Sequence, residues 1–184
     1  MYSSTSHHPP NTFQSYDYAI IKLPKAFTID VRYINPICLP LGVNKDWSKG
    51  LYNIAGWGYG ERESELLEYA EVQVVPKMTC YKKWNKYLPT TPYFFRNNSI
   101  CVEGYSGPLG ACVGDKGGPL FWQHPFDELR GYIVGLASFE DKFCDNGENN
   151  GPLKPFKYAY IPKVIEWIMS LGDKELIQCL PTRP

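Results

Sequence analysis

Short apolar runs broken by turn-forming residues dominate this chain. Tyr18-Ala19-Ile20-Ile21-Lys22-Leu23, ended by Pro24, reads as a buried strand. Runs of the same kind predict strands at Leu51–Trp57, Glu68–Val75, Ser99–Val102, Pro119–Trp122, Tyr132–Ser138 and Lys157–Ile161, with turn residues between most of them. The first fifteen residues are polar and Pro-containing and read as loop, while 31–48 carries Pro36, Pro40 and Gly42 among apolar residues and suits an extended connector. Helical spacing recurs near the C-terminus, where Val164, Ile165, Trp167, Ile168 and Leu171 predict a helix over Pro162–Leu171 closed by Gly172. A shorter helical turn is predicted near Met78–Trp84. Many short strands and one terminal helix make an all-β barrel or sandwich.

Composition narrows the class. The chain has 184 residues, 43% apolar and 15% aromatic with 21% charged, enough for one folded domain with a real core. Lys plus Arg and Asp plus Glu both number 19, so no one-signed field marks a nucleic-acid or membrane-surface partner. No apolar run approaches the ~20 residues of a membrane-spanning helix. The six cysteines (Cys38, Cys80, Cys101, Cys112, Cys144, Cys179) are dispersed, with no C-x-x-C pair. That pattern predicts disulfides and an oxidising, extracellular setting, and neither a metal site nor a cofactor. The sequon Asn97-Asn98-Ser99 makes Asn97 a glycosylation candidate and points the same way. Met1 is followed by a polar, Pro-rich stretch with no apolar signal core, so a secreted chain implies a missing upstream piece.

The chemistry is carried by Cys112-Val-Gly-Asp-Lys-Gly-Gly-Pro-Leu120. This segment resembles the C-x-G-D-S-G-G-P-L signature of the trypsin-like (chymotrypsin-fold) serine proteases, with Lys116 where the serine stands. Seven other segments resemble that family in order. Tyr16-Asp17-Tyr18-Ala19-Ile20-Ile21-Lys22-Leu23 resembles the strand carrying the triad aspartate, and Pro36-Ile37-Cys38-Leu39-Pro40 the inter-barrel P-x-C-L-P. Gly56-Trp57-Gly58 matches G-W-G, and Ile100-Cys101-Val102 resembles I-C-A. Ile133-Val134-Gly135, followed by Ser138-Phe139, resembles G-I-V-S-W; Pro155-Phe156-Lys157-Tyr158 resembles P-G-V-Y. Val164–Ile168 resembles the terminal helix, so the likeness spans about residues 8–172.

The resemblance implies a chymotrypsin-like Greek-key barrel with a C-terminal helix. It divides a single 1–184 domain into a first-barrel remnant (1–30), a connector (31–48), a complete second barrel (49–161), a helix (162–172) and a tail (173–184). It also implies disulfides Cys80–Cys101 and Cys112–Cys144. Tyr52 and Trp122 stand near the positions of a second-barrel bridge that is absent here. Cys38 ordinarily bonds an upstream segment, and Cys179 in the tail is an alternative partner.

Serine protease chemistry needs a hydroxyl nucleophile, a histidine beside it, an aspartate orienting that histidine, and backbone N–H groups facing the oxyanion. The resemblance leaves Asp17 at the aspartate position, Lys116 at the nucleophile position and Gly114 and Asp115 in the oxyanion segment. Sixteen residues precede Asp17, which leaves no room for the family's histidine, and His7, His8 and His124 read as loop residues. The pocket positions fall on Gly110, Ser138, Phe139, Glu140 and Phe156, where Phe156 and Glu140 replace small residues. Asp115 is expected to pair with Lys116 or to lie in a disordered loop, or else Lys116 to pair with Asp17. The implied function is a secreted protease homologue without protease activity, binding a protein partner or peptide ligand. Tyr87–Phe95 and the loop Asp145–Gly151 are candidate contact surfaces. The competing readings are an active endopeptidase completed by an upstream half, and a truncated gene product without a function.

Overall fold

A computed structural model of the chain describes residues 2–3, 17–25, 28–30, 32–58, 66–85, 98–106, 111, 114–139 and 155–171. Two short strands, β1 (Tyr2–Ser3) and β2 (Ala19–Ile20), pair antiparallel. The remaining strands are β3 (Leu51–Gly56), β4 (Glu68–Val75), β5 (Ser99–Gly104), β6 (Pro119–His124), β7 (Asp127–Phe139) and β8 (Phe156–Tyr160). They close an antiparallel barrel in the order β3-β4-β5-β8-β7-β6. Closure leaves the strands of this barrel no open sheet edge to be templated by another chain. The fold is thus all-β and of the chymotrypsin-like kind.

Alternation along the strands builds the interior. Tyr52 and Ile54 on β3, Val72 on β4, Leu120 on β6 and Tyr132 and Val134 on β7 all point inward and pack with Ile100, Val102 and Tyr158. Full burial of a side chain such as Leu120 or Val102 contributes roughly 1.5–3 kcal/mol. On β5 the burial is continuous rather than alternating, since Cys101 faces outward into a second cluster with Val75, Cys80 and Trp84. That cluster seats helix α1 (Lys77–Asn85), which the Cys80–Cys101 disulfide fastens to β5.

A third cluster, made of Tyr18, Ala159, Ile161, Val164 and Ile168, fixes the C-terminal end. The helix expected over Pro162–Leu171 is divided into a 3₁₀ turn (Ile161–Lys163) and helix α2 (Ile165–Ser170). Pro162 suits the first positions of the turn, and Val164 at φ −118° leaves helical geometry between the two pieces. Two further expectations are corrected. Tyr2–Ser3, read as loop, is a strand because β2 offers it an open ladder. β7 begins five residues earlier than the Tyr132 start, because Gln123 Nε2 donates to the Asp127 and Arg130 carbonyls and closes a tight hairpin.

The connector docks on β7 through Cys38, whose N–H donates to the Gly131 carbonyl and whose carbonyl accepts from Ile133, both at 2.8 Å. Farther along it, Lys45 places its ammonium 5.0 Å from the Trp122 ring centre, 5.6 Å from Tyr52 and 5.9 Å from Trp47. Trp47, Trp122 and Tyr132 touch one another, and the Tyr52 hydroxyl donates to the Trp47 carbonyl at 2.8 Å. Connector, β3, β6 and β7 are therefore clasped by aromatic and cation–π contacts.

Candidate functional site

The segment singled out in the sequence folds as a turn between residue 114 and the start of β6. Gly114 (φ 97°) and Gly117 (φ 82°) adopt the left-handed conformation that side chains disfavour. The Gly118 N–H donates to the Asp115 carbonyl at 2.8 Å, closing the turn. The turn is tied to β7 where it meets β6: Gly117 N–H donates to the Ala137 carbonyl at 2.8 Å, and Ala137 N–H to the Gly118 carbonyl at 2.9 Å.

Asp115 anchors the other side. Its Oδ1 accepts from the Gly58 N–H at 2.9 Å, and its carboxylate fills the space where a Cβ at Gly56 or Gly58 would project. Gly56-Trp57-Gly58 is therefore a niche for this carboxylate. With Asp115 held inward, Lys116 is exposed at the apex of the turn.

Asp17 enters from the segment that precedes β2. Tyr18 is buried, and its hydroxyl lies 3.2 Å from the Asn98 carbonyl and 3.1 Å from that of Tyr160, so it pins the segment to the barrel. Asp17 is thereby set over β7, where Oδ2 accepts from the Ser138 hydroxyl at 2.9 Å. Ser138 is 2% exposed and sits where the β7–β8 register shifts between Ala137 and Phe139. Consecutive residues of one strand thus hold both segments: Ala137 takes the turn and Ser138 takes Asp17.

Lys157 is a member of this site that sequence reasoning passed over. It lies on β8 opposite Phe139 and is 3% exposed. Burial pushes its ammonium down to about 8, while the Asp17 carboxylate nearby opposes that shift. A lysine between Phe156 and Tyr158 was the available signal, since alternation alone gives no reason for a charge there. Tyr158 and Tyr52, the largest of the fully buried side chains, have hydroxyls raised above their ordinary range by burial.

Of the other expected site residues, Phe156 lies on β8 opposite Val102, half-buried and packed against the main core. Phe139 belongs to β7, but its side chain, together with Gly110, Glu140, Asn97, Cys112, Cys144 and Cys179, is outside the described residues. The contact surfaces Tyr87–Phe95 and Asp145–Gly151, as well as His7 and His8, also fall outside them. Cys38 is disulfide-bonded, to a partner outside the described residues. His124 meets Trp122 edge to face in the hairpin, with ring centres 5.6 Å apart. No group of metal-ligating side chains occurs among the described residues, and no described helix is long and apolar enough to cross a membrane.

Comparison with known proteins accounts for the shared geometry. The family model for trypsin matches residues 2–168. The chain is 32% identical over 171 residues to mannan-binding lectin serine protease 1 of Homo sapiens, covering 89% of this chain and 22% of that protein. It is 30% identical over 163 residues to clotting factor C of Tachypleus tridentatus, covering 84% of this chain and 15% of that protein. The chain thus spans under a quarter of either relative. Its barrel, its glycine-built turn and the Asp17–Ser138 contact all lie within the matched residues, and the chain belongs to the trypsin-like serine protease family.

Proposed function

We propose that this chain is a protease homologue without protease activity, serving as an extracellular binding or regulatory protein, with a place in a proteolytic cascade. The observation that carries the reading is Lys116 at the exposed apex of the Gly114–Gly118 turn, the position that corresponds to the family's serine. An amine there can attack a carbonyl, but the product is an amide that water does not readily turn over. The cycle requires a hydroxyl whose acyl ester water can hydrolyse, and residue 116 supplies none.

Three further features support the reading. Asp17 is engaged by Ser138, with the cationic Lys157 beside it, and the histidine among the described residues, His124, lies edge to face with Trp122. Phe156 brings an aromatic ring where a pocket wall needs a small residue. The clotting relative motivates the cascade, and the dispersed, disulfide-forming cysteines motivate the extracellular setting. On this reading 31–48 is an inter-barrel connector, 49–161 a second barrel and 1–30 the last part of a first one. The turn's backbone keeps its shape without a nucleophile, because the two glycines and the Asp115 anchor do not depend on residue 116.

The test is hydrolysis of a panel of peptide amides and esters by the non-reduced protein. No turnover above buffer is expected, and the 184-residue Lys116→Ser variant is expected to be equally inert. Turnover that scales with protein concentration and is lost in Lys116→Met would establish an active endopeptidase instead.

A further inference from the structure

Lys45 is held in a way that an ordinary surface lysine is not. Its ammonium stands 5.0 Å from the Trp122 ring centre, 5.6 Å from Tyr52 and 5.9 Å from Trp47, so three π faces converge on one cation. Gly50 closes a further side, since a Cβ there would stand 3.6 Å from Nζ. Among the described residues Lys45 forms no ion pair. The carboxylate next to it in the chain, Asp46, is taken by Lys49 at 2.9 Å and by the Ser48 hydroxyl. Rings therefore hold this ammonium, and no carboxylate does.

The walls do not depend on the lysine. Trp47 and Trp122 meet at 78°, and Tyr132 packs on both with ring centres 5.7 Å apart. The Tyr52 ring is fixed by its hydroxyl, which donates to the Trp47 carbonyl at 2.8 Å. Trp47, Tyr52 and Tyr132 are all buried. Lys45 itself is half-buried, and Asn44 and Asp46 on either side of it are exposed. Its side chain can swing into water by rotation about its own bonds, leaving a preformed aromatic cage behind. Such a cage favours cations that give up little hydration. A primary ammonium is strongly hydrated, whereas a quaternary ammonium has no N–H to leave unpaired.

We propose that Trp47, Tyr52 and Trp122 form a binding site for quaternary ammonium groups of the choline type, which Lys45 fills until such a group displaces it. Lys45 is then a built-in competitor, lowering the apparent affinity by the fraction of time it fills the cage. Free choline and the phosphatidylcholine headgroup present the same chemistry. The site shares no residue with the Gly114–Gly118 turn, so it holds or fails independently of the hydrolysis assay.

The experiment follows the assigned indole N–H signals of the non-reduced protein by NMR while tetramethylammonium is added at constant ionic strength. Saturable shifts are expected at Trp47 and Trp122 and none at Trp57, Trp84 or Trp167. Lys45→Ala is expected to bind at least about fivefold more tightly than the parent, and Trp122→Leu to lose the response at Trp47. tert-Butanol, a neutral molecule of similar shape, is expected to leave both signals in place. The parent titration needs no variant, so the test stands even where Trp122→Leu does not fold. No saturable shift in the parent or in Lys45→Ala, an equal response to tert-butanol, or equal affinity of parent and Lys45→Ala overturns the proposal. Undiminished binding by folded Trp122→Leu does so too. Titration with choline and sedimentation with phosphatidylcholine vesicles then separate the two sources: shifts with choline alone support a free ligand, and sedimentation lost in Trp122→Leu supports the headgroup.

Discussion

Lys157 is the residue most at odds with its surroundings. A lysine that is almost wholly buried folds at a cost, because its ammonium loses water that the Asp17 carboxylate only partly replaces. Its folded value of about 8 lies below its ordinary value of 10.5, so the unfolded chain holds more protons between those limits. Stability therefore rises with pH across about 8 to 10.5 and stays flat below. Lys157→Met is expected to abolish that rise and to raise stability at pH 7 by about 2–3 kcal/mol. Urea unfolding at pH 7 and pH 10 reads both effects. A variant that unfolds earlier than the parent at pH 7 would show that the Asp17–Lys157 attraction outweighs the desolvation.

At the scale of elements, the site is a set of loops hung on β7 and β3. The strand ends carry the load: Ala137 and Ser138 at one, Gly56 and Gly58 at the other. Gly58→Ala puts a methyl on the Asp115 carboxylate and is expected to cost about 1–3 kcal/mol in thermal or urea unfolding. An unchanged midpoint would mean that Asp115 leaves the niche freely.

Most elements could be read from the chain because their burial follows a simple period. β4 and the strand from Leu51 alternate apolar and polar residues, and the cost of misplacing Tyr52 or Val72 is high. Hairpin closure at Gln123 and the pairing of Tyr2–Ser3 were not readable, since they depend on side-chain-to-backbone bonds and on a distant strand. The site was legible only in part. Asp17, Lys116 and the glycines stood out through resemblance, whereas Lys157 and the Tyr18 hydroxyl act across long sequence separations that no local pattern encodes.

For the whole molecule, the barrel is the scaffold and chemistry is the variable. The same closed sheet, turn and carboxylate niche that position a nucleophile will position whatever stands at residue 116. On the proposed reading, a lysine there leaves no acyl-transfer cycle, because water does not readily turn over an acylated amine. Intact-mass analysis after incubating the non-reduced protein with a fluorophosphonate tests this most directly. Such reagents phosphonylate an activated serine. The account predicts an unshifted mass, with trypsin labelled in parallel. Stoichiometric addition to a serine of this chain would contradict it, since a competent nucleophile would then exist despite Lys116.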